Sequence, residues 1–471
     1  MIPGLGGFVM QKRLLFLLHA VLAAVLSGSL SSCSAPPLVF ERPPVLIFDI
    51  DTLRADHLGC YGYSRPTSPN IDAFAAQAVR FEWVFSQGPN TPPSQASILT
   101  GQYPTTHGRI VNNQKIRETA PRLAAELAEA GYLTEAYVDG GLMVKGFGYE
   151  QGFDVYDDEA GHLAAIGPKV FDRLKAVAEQ ARSGSSSPWF LLVHTYDVHS
   201  PYEISPEPFN TFFTSQLDRL PSEDFQGRMS EVMADVWKSR GSGSAGHLTP
   251  VQLEYAKACY DGGIRHVDDW FGKLLKRLEK EGLFDQCLIV VISDHGDEFQ
   301  EHGGLFHERI YAPVARIPML IRLPYGQHGG TVVNNVVQSI DLLPTILERL
   351  GLDVPPGVQG RSLLPLIRGE QVGERAAFTE SPYFGRRIAV ATEKHRLIHT
   401  GETDSSELFL YRDDPLELRA LNEPQGALET GLRRRIDSWR VFVAVDEPAS
   451  EEGPGWSAEQ LEQLRVLGYV D

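Results

Sequence analysis

The stretch VLIFDID, residues 45–51, decides the fold class of this chain. Residues 45–50 form a near-continuous apolar run, which is typical of a strand buried on both faces of a sheet. Similar runs alternate along the chain with amphipathic stretches, such as APRLAAELAEAGYLTEAYV (residues 120–138), where Gly131 separates a helix from a strand. This alternation predicts an α/β fold in which helices cover a mostly parallel central sheet.

A second buried strand, CLIVVI (residues 287–292), is followed by SDHGDE. Asp51 and the pair Asp294 and His295 therefore stand directly after two buried strands. The carboxyl ends of strands line the ligand crevice of open α/β sheets, so these side chains are candidates for a divalent cation site. The alternative is that each Asp caps the next helix or turn. Because D-H-G follows the second apolar run directly, the pattern favours the metal site.

The composition describes a globular protein and excludes one class of partner. The 471 residues are 42% hydrophobic and 22% charged, and they suffice for one large α/β domain with a small one. The formal net charge of −18 argues against binding to nucleic acid, whose partners concentrate positive charge. The chain has no C-x-x-C pair that would indicate a structural zinc site.

The first 33 residues have the pattern of a bacterial lipoprotein signal. Lys12 and Arg13 precede LLFLLHAVLAAVL, which is shorter than the about 20 residues of a spanning helix, and GSLSSC ends at Cys33. We expect cleavage to leave a lipid-bearing Cys33 and the protein to be anchored in the cell envelope, facing the periplasm or the exterior. The alternative is an ordinary secretory signal with an incidental Cys.

The remaining chain divides into three parts. Residues 34–43 are a Pro-rich tether, residues 44–369 carry the α/β pattern, and residues 370–471 change to short strand-like pieces and a final helix. The last part predicts a small α+β subdomain. Residues 203–247 lack clear periodicity, and we expect them to form a long excursion near the mouth of the site.

Six ordered motifs carry a resemblance to a known family. They are DTLRADHLGCYGY (51–63), TPPSQASILTGQYP (91–104), FLLVHTYDVHSPY (190–202), YDGGIRHVDDWFGKLL (260–275), SDHGDEFQEHG (293–303) and DLLPTILERLG (341–351). Together they resemble the sulfatase-like branch of the alkaline phosphatase superfamily over residues 44–423. The resemblance implies a three-layer α/β/α sandwich for residues 44–369, a catalytic domain that hydrolyses sulfate-, phosphate- or phosphonate-type esters.

The resemblance also implies roles for individual residues. Asp51, Asp294 and His295 match the family's metal ligands, and Thr91 matches its nucleophile. His199 and His307 match the groups that contact the leaving oxygen and the sulfate or phosphate oxygens. A metal-activated hydroxyl and cationic groups suit attack on such an ester. Arg54 is a candidate for substrate binding, with pairing to a structural carboxylate as the alternative.

This chain departs from the sulfatase pattern at the nucleophile. Sulfatases oxidise a Cys or Ser to formylglycine, whereas Thr91 would give a ketone, and Gln95 stands where they have the supporting Arg. Thr52 replaces the second Asp of the D-D pair, and Asp139 stands where many carry a Lys. These changes argue against formylglycine and favour an unmodified Thr91, as in related phosphodiesterases and phosphoethanolamine transferases. Phosphorus esters are therefore the substrates that the mechanism favours.

The resemblance leaves the metal open. Ca²⁺ or Mg²⁺ suits a one-metal site, and Zn²⁺ or Mn²⁺ suits the phosphoesterase interpretation. His194 and Asp197, with His199 and His307, have the side chains that a second zinc would prefer. The alternative, which we favour, is that His199 and His307 bind substrate oxygens while His194 packs in the core.

Three functions remain compatible with the sequence. The first is hydrolysis of a small-molecule, glycan or lipid ester by a membrane-anchored enzyme. The second is transfer of a phospho-head-group in the envelope. The third is a non-catalytic binding protein with the same fold, which loss of Asp51, Asp294 or His295 would have favoured, but all three are present.

Overall fold

The computed structural model describes Met1 and residues 38–467, with gaps at 160, 186, 203–205, 207, 240–246, 308, 422–425 and 446–450. Residues 39–471 belong to one compact unit. The signal segment, Cys33 and the first part of the tether lie outside the described residues. Among those that are described, no helix has the length and apolar character needed to cross a membrane.

A large sheet and a small sheet organise this unit. The large sheet has eight strands in the order β10-β2-β9-β6-β1-β5-β3-β4, and the small one has four in the order β11-β12-β13-β14. The strands are β1 Val45–Ile50, β2 Val79–Phe85, β3 Leu133–Tyr137, β4 Val155–Asp157, β5 Trp189–Thr195, β6 Leu288–Ile292, β7 Glu298–Phe299, β8 Leu305–Phe306, β9 Arg316–Arg322, β10 Val332–Gln338, β11 Ala377–Ser381, β12 Arg387–Ala391, β13 Arg396–Thr400 and β14 Ser405–Phe409.

The large sheet is parallel except at β9, which runs antiparallel to both of its neighbours, β2 and β6. The strand β1 lies between β5 and β6 and is buried along its whole length. Its Ile47 belongs to the main apolar core, while Phe48, on the opposite face, stacks on Phe271 at 5.5 Å between ring centroids. The predicted α/β fold with a mostly parallel sheet covered by helices is confirmed.

Fourteen α-helices lie in the described part of the chain. They are α1 Pro69–Ala75, α2 Thr91–Thr100, α3 Pro104–His107, α4 Leu123–Glu129, α5 His162–Arg182, α6 Phe209–Phe212, α7 Glu223–Gly227, α8 Met229–Ser239, α9 Pro250–Glu281, α10 Ala312–Ala315, α11 Leu342–Arg349, α12 Leu364–Ile367, α13 Ala427–Val443 and α14 Ala458–Val466.

The longest helix, α9, shows why these boundaries occur where they do. Thr249 and Gln252 form a reciprocal capping box at its start. Gly282 ends it in the left-handed conformation, with φ of 75°, which a residue without a Cβ adopts at little cost. At α1 the residue before the helix, Ser68, makes no side-chain capping bond, and Asp268 accepts the backbone N–H groups of Asn70 and Ile71 instead.

The structure differs from expectation in the excursion at residues 203–247. Instead of an unpatterned segment, its described part contains the helices α6, α7 and α8. Short amphipathic helices give little periodic signal, which explains why the sequence did not reveal them. Trp237 of α8 packs on His307 at 4.9 Å between ring centroids, so this helix covers one of the predicted site residues.

The small sheet follows the change of sequence texture near residue 370, and β11 to β14 form an antiparallel meander covered by α13. The end of the chain, however, returns to the large domain. Trp456 stacks on Phe147 at 4.7 Å, and Gly141 donates a backbone hydrogen bond to Gln463 of α14. The final helix therefore packs beside the large sheet, away from the meander.

Candidate active site

The candidate site lies where β1, β5 and β6 end together. Asp51 follows β1, and Asp294 and His295 follow β6, its hydrogen-bonded neighbour. His194 is near the end of β5, on the other side of β1. The side chains of Asp51, Asp294, His295 and His194 are all fully buried. The parallel register of three adjacent strands thus brings together residues that lie far apart in the sequence.

Thr91 occupies the first position of α2 and points at these acids. Its Oγ1 donates a hydrogen bond of 3.0 Å to Asp51 Oδ2 and lies 3.4 Å from His295 Nε2. The helix dipole and the unpaired N–H groups of a first turn favour negative charge on that hydroxyl oxygen. Tyr149 holds this turn in place, since its hydroxyl donates to the Pro92 carbonyl and accepts from Arg109.

The three carboxylates of the site are short of hydrogen-bond partners. Asp49, Asp51 and Asp294 are 0% exposed. Asp51 Oδ1, Asp294 Oδ2 and both oxygens of Asp49 accept no hydrogen bond from the described residues. Burial, and then the charge of Asp294, raises the pKa values of Asp49 and Asp51 well above the usual range. Orphaned carboxylate oxygens this close together are what a bound cation would satisfy.

The geometry of Asp51, Asp294 and His295 fits a metal ion. One ligand atom from each of these residues lies within 4.8 Å of the others. The other imidazole nitrogen of His295, Nδ1, lies 3.0 Å from the Gly296 carbonyl. Because a carbonyl can only accept, Nδ1 carries the proton and Nε2 presents its lone pair to the two acids. The carboxylates and this lone pair form a suitable donor set.

Two further histidines, His307 and His199, lie close to His295. The ring of His307 is 4.6 Å from that of His295 and 5.4 Å from that of His199. His307 Nδ1 donates to Asp297 Oδ1 at 2.9 Å, and Tyr202 donates to the other oxygen of Asp297 at 2.8 Å. Asp297, to which the sequence analysis assigned no functional role, therefore orients His307. Its place in D-H-G-D was the available signal.

His199 has a different protonation state. Its Nδ1 lies 2.7 Å from the Ser200 carbonyl, so that nitrogen carries a proton. Burial, and then the neighbouring His307, lowers the pKa of His199 to about 3. The ring is consequently neutral in the free protein, and its second nitrogen is an acceptor until an anion arrives.

The structure separates two other candidates from the reacting atoms. Arg54 is 1% exposed, and its guanidinium binds Asp56, Glu301 and the Asp297 carbonyl. These contacts agree with the alternative given for Arg54, which is pairing with structural carboxylates, and not with substrate binding.

His194 and Asp197, the possible ligands of a second zinc together with His199 and His307, have different contacts. His194 Nε2 is 3.6 Å from Asp51, and burial lowers the pKa of His194 to about 4. Asp197 Oδ1 lies instead 3.6 Å from His266 Nε2. The chain turns after β5, so that the side chains of residues 194 and 197 point into different surroundings.

A family comparison agrees with this geometry. The model described as Sulfatase matches residues 43–352, and one described as N-sulphoglucosamine sulphohydrolase, C-terminal, matches residues 300–440. The first match covers more than half of the chain and includes every residue of the site. The chain belongs to the sulfatase family. Enzymes of this family use a divalent metal, in agreement with the donor set around Asp51.

Individual relatives within the family differ in their reactions. The N-acetylglucosamine-6-O-sulfatase of Bacteroides thetaiotaomicron is 25% identical, with 83% of this chain and 84% of that protein covered. A solved structure of a protein in complex with its substrate, D-glucosamine-2-N,6-O-disulfate, matches this chain with a TM-score of 0.70 at 19% identity. The match covers 88% of this chain and 100% of the chain in that structure. The phosphonate monoester hydrolase from Silicibacter pomeroyi has a TM-score of 0.67 at 23% identity, covering 86% and 96%.

Two residues at which this chain departs from the usual sulfatase pattern, Gln95 and Thr52, lie beside the buried acids of the site. Gln95 lies on α2 beside Asp49, where its amide favours the charged form of that carboxylate. Thr52 has a φ of 57° and donates its backbone N–H to Asp294. The sequence interpretation missed Asp49, although an acid two residues before Asp51 on one strand must share its face. No Lys or Arg in the described residues forms an ion pair with Asp49, Asp51 or Asp294.

Proposed function

We propose that this protein is a metal-dependent ester hydrolase in which the unmodified hydroxyl of Thr91 is the nucleophile. The observation that carries the proposal is the hydrogen bond of 3.0 Å from Thr91 Oγ1 to Asp51. A buried hydroxyl at a helix N-terminus, with a carboxylate acceptor beside it, is arranged for activation without prior oxidation. The hydroxyl proton leaves along this bond to Asp51, the acceptor that the geometry places beside it.

The reaction then takes place in two halves. Thr91 Oγ1 forms a bond to the phosphorus or sulfur of the ester as the bond to the leaving oxygen breaks, which leaves an ester of Thr91. A water molecule next displaces Thr91 from that intermediate, Oγ1 takes its proton back from Asp51, and the acid is released. His307 serves both halves, giving its Nε2 proton to the leaving oxygen and later taking one from the water.

His307 suits this role better than His199 does. Asp297 accepts the Nδ1 proton of His307, so the carboxylate stabilises the imidazolium that a proton donor must provide. His199 is neutral in the free protein, and its Nδ1 proton is held by a backbone carbonyl. We therefore assign proton transfer to His307 and contact with the ester oxygens to His199, which an anionic substrate would favour in the protonated form.

The residues that would hold the metal are Asp51, Asp294 and His295. When bound there, a divalent cation lowers the pKa of a nearby hydroxyl and neutralises charge on the ester oxygens. Asp51 Oδ1 and Asp294 Oδ2, which accept no hydrogen bond from the described residues, are the atoms that support this assignment.

The charge of the site favours monoanionic esters. Asp49, Asp51, Asp294 and Asp297 are fully buried, and the nitrogen groups beside Asp51 and Asp294 are the imidazoles of His194 and His295. A dianionic phosphate monoester would add two negative charges to this surplus, whereas a phosphate diester, phosphonate monoester or sulfate ester adds one. Because structural relatives include a phosphonate monoester hydrolase, and because Thr91 is not in a formylglycine motif, we propose phosphorus monoanions as substrates.

The first experiment compares Thr91→Ala with Thr100→Ala. Both threonines lie on α2 and are 0% exposed, but the Thr100 hydroxyl donates to the Ala96 carbonyl and accepts the backbone N–H of Gln102, neither of which belongs to the acids of the site. Turnover of 4-nitrophenyl sulfate, a phosphate diester and a phosphonate monoester is measured with Ca²⁺, Mg²⁺, Mn²⁺ or Zn²⁺. We expect Thr91→Ala to abolish turnover of the phosphorus esters and Thr100→Ala to retain it. Mass spectrometry of the peptide that contains Thr91 should show an unmodified threonine.

Two results would contradict the proposal. The first is phosphorus-ester turnover that survives Thr91→Ala, which would exclude this hydroxyl as the nucleophile. The second is an oxidised residue at position 91 together with sulfate turnover, which would restore a sulfatase mechanism. If an added alcohol, instead of water, accepted the group from Thr91 and formed a new ester, the protein would be identified as a transferase.

We further propose that Cys33 carries a lipid and anchors the enzyme in a bacterial envelope. The support is the charged flank, apolar run and small residues at 11–33. Labelling with a fatty acid and fractionation of cells test this proposal. Cys33→Ala should lose the label and release the protein from the membrane fraction, whereas a labelled Cys33→Ala protein would refute the assignment.

A further inference from the structure

A second cluster of metal-binding side chains lies outside the Thr91 site. It comprises Asp139, which follows β3, Asp197, which follows β5, His162 at the start of α5 and His266 on α9; we call it the α5 cluster. His162 Nδ1 is 2.8 Å from Asp139 Oδ2, and His266 Nε2 is 3.6 Å from Asp197 Oδ1. Ligand atoms of Asp139, His162 and Asp197 lie within 4.8 Å of one another.

Each acid of the α5 cluster uses one oxygen to cap a helix and turns the other toward a histidine. Asp139 Oδ1 accepts the backbone N–H groups of Gly161 and His162, at 3.0 and 2.8 Å. Asp197 Oδ2 accepts the backbone N–H of Leu163 at 2.8 Å. The start of α5 is therefore satisfied by one oxygen of each acid. The other two, Asp139 Oδ2 and Asp197 Oδ1, are the ones that face the imidazoles.

Backbone N–H groups donate to both acids, including that of Tyr196 to Asp139 Oδ2 at 3.1 Å, but the ionisable groups paired with them in the described residues are these imidazoles. The side chains of Asp139 and Asp197 are 1% and 2% exposed, and within the described residues neither pairs with a Lys or an Arg. Against the effect of burial, Asp139 raises the pKa of His162 in the metal-free protein, which favours the charged imidazole. With both histidines neutral, as metal ligands are, the two buried carboxylates would leave a net charge of about −2. A divalent cation at this position would neutralise it.

The three ligands within 4.8 Å of one another are Asp139, His162 and Asp197, and His266 approaches through Asp197; the two Asp–His separations are compatible with four-coordinate zinc. Zinc prefers four ligands from His nitrogen and carboxylate oxygen at about 2.0–2.2 Å, so that ligand atoms are roughly 3.3 Å apart in a tetrahedron. The observed separations of 2.8 and 3.6 Å lie on either side of that value. The His162 side chain is 33% exposed, so the ion has a path from solvent.

We propose that Asp139, His162, Asp197 and His266 form a structural zinc site. It fastens the start of α5 to α9 and to the ends of β3 and β5. This site is separate from the metal centre at Asp51 and does not depend on the proposed reaction. All four positions are filled by protein side chains, as in structural zinc sites, which keep no ligand position open.

The test uses the full-length protein with Asp294→Asn, which disables the centre at Asp51. Zinc content is measured by elemental analysis after dialysis, and Co²⁺ is then substituted so that its visible absorption reports a four-coordinate site. We expect one equivalent of zinc in this background. Adding His162→Ala and His266→Ala should remove it, or weaken binding at least a hundredfold. His395→Ala, a histidine in a turn outside both sites, is the matched control and should leave zinc content unchanged.

Equal zinc content with and without His162→Ala and His266→Ala would overturn the proposal, as would a six-coordinate cobalt spectrum. Both variants keep the carboxylates that cap α5, so we expect them to fold. If the variant with both His162→Ala and His266→Ala does not fold, zinc binding is measured in the His266→Gln variant instead. That side chain is not part of the cap, and zinc binding that remains as tight as in the parent excludes His266 and thus the four-residue site.

Discussion

Replacing Asp297 by Asn should impair protonation of the leaving oxygen while leaving nucleophilic attack intact. Asp297 accepts from His307 at 2.9 Å, and both side chains are fully buried. An Asn can keep one acceptor oxygen but loses the charge that stabilises the imidazolium. A hydrogen bond to a charged group contributes about 1.5–3 kcal/mol, which corresponds to a decrease in kcat/KM of roughly 10- to 150-fold at 1.4 kcal/mol per factor of ten.

The size of this loss should depend on the leaving group. The leaving-group dependence is measured in kcat/KM, which does not include the second half of the reaction. A 4-nitrophenolate leaves without a proton, so its ester should lose only a few-fold in kcat/KM, whereas a methyl or phenyl ester should show the whole decrease. Steady-state rates for a series of phosphonate monoesters measure this dependence. Tyr202→Phe, which removes the other bond to Asp297 but keeps its charge, is the control and should cost less than Asp297→Asn. An equal loss for all leaving groups would refute the role of His307 as the proton donor.

Three further outcomes follow from the contacts of buried charges. Because burial raises the pKa of Asp51, the folded protein binds that proton more tightly than the unfolded chain does, and the stability of metal-free protein should fall as pH rises from about 4 through the raised pKa. Asp51→Asn should therefore abolish turnover but raise the melting temperature at pH 8 in the presence of a chelator, as measured by calorimetry. An unchanged or lower melting temperature would contradict charge repulsion between Asp51 and the neighbouring carboxylates of Asp294 and Asp49. Arg54→Ala leaves Asp56 and Glu301 without their partner, and urea titration should show a loss of about 3–5 kcal/mol. If Arg54→Ala that remains folded has a normal KM, the role of Arg54 is structural. A large increase in KM would instead indicate that Arg54 contacts the substrate. Asp268→Ala should cost about 1–2 kcal/mol in the same titration through the lost cap of α1, with unchanged kcat.

The sequence was sufficient for features that depend on neighbours along the chain. Apolar runs predicted the buried strands, and Gly131 separated a helix from a strand as its position indicated. The positions of Asp51 and Asp294 after their strands predicted that they would meet, because parallel strands end at one edge of a sheet. Local pattern thus predicted both the class of the fold and the centre of the site.

Features that depend on tertiary contacts could not be read in this way. Periodicity does not show that the guanidinium of Arg54 reaches Glu301, or that Gln95 on α2 faces Asp49 on β1. The pairing of Asp197 likewise depends on the turn after β5 and on the position of α9. In each case the partners are tens to hundreds of residues apart, and only the packing of the helices on the sheet decides which polar groups meet.

The loop after β5 connects the α5 cluster to the reacting groups. Asp139 accepts the backbone N–H of Tyr196, and the Tyr196 ring packs edge-on against His199 at 5.5 Å and against His194 at 4.8 Å. A cation that fixes Asp139 would therefore fix the residue on which both histidines rest. Since a catalytic group loses activity when it moves by even 1 Å, a structural ion at the α5 cluster would support the reaction through the orientation of His199, without contact with the substrate.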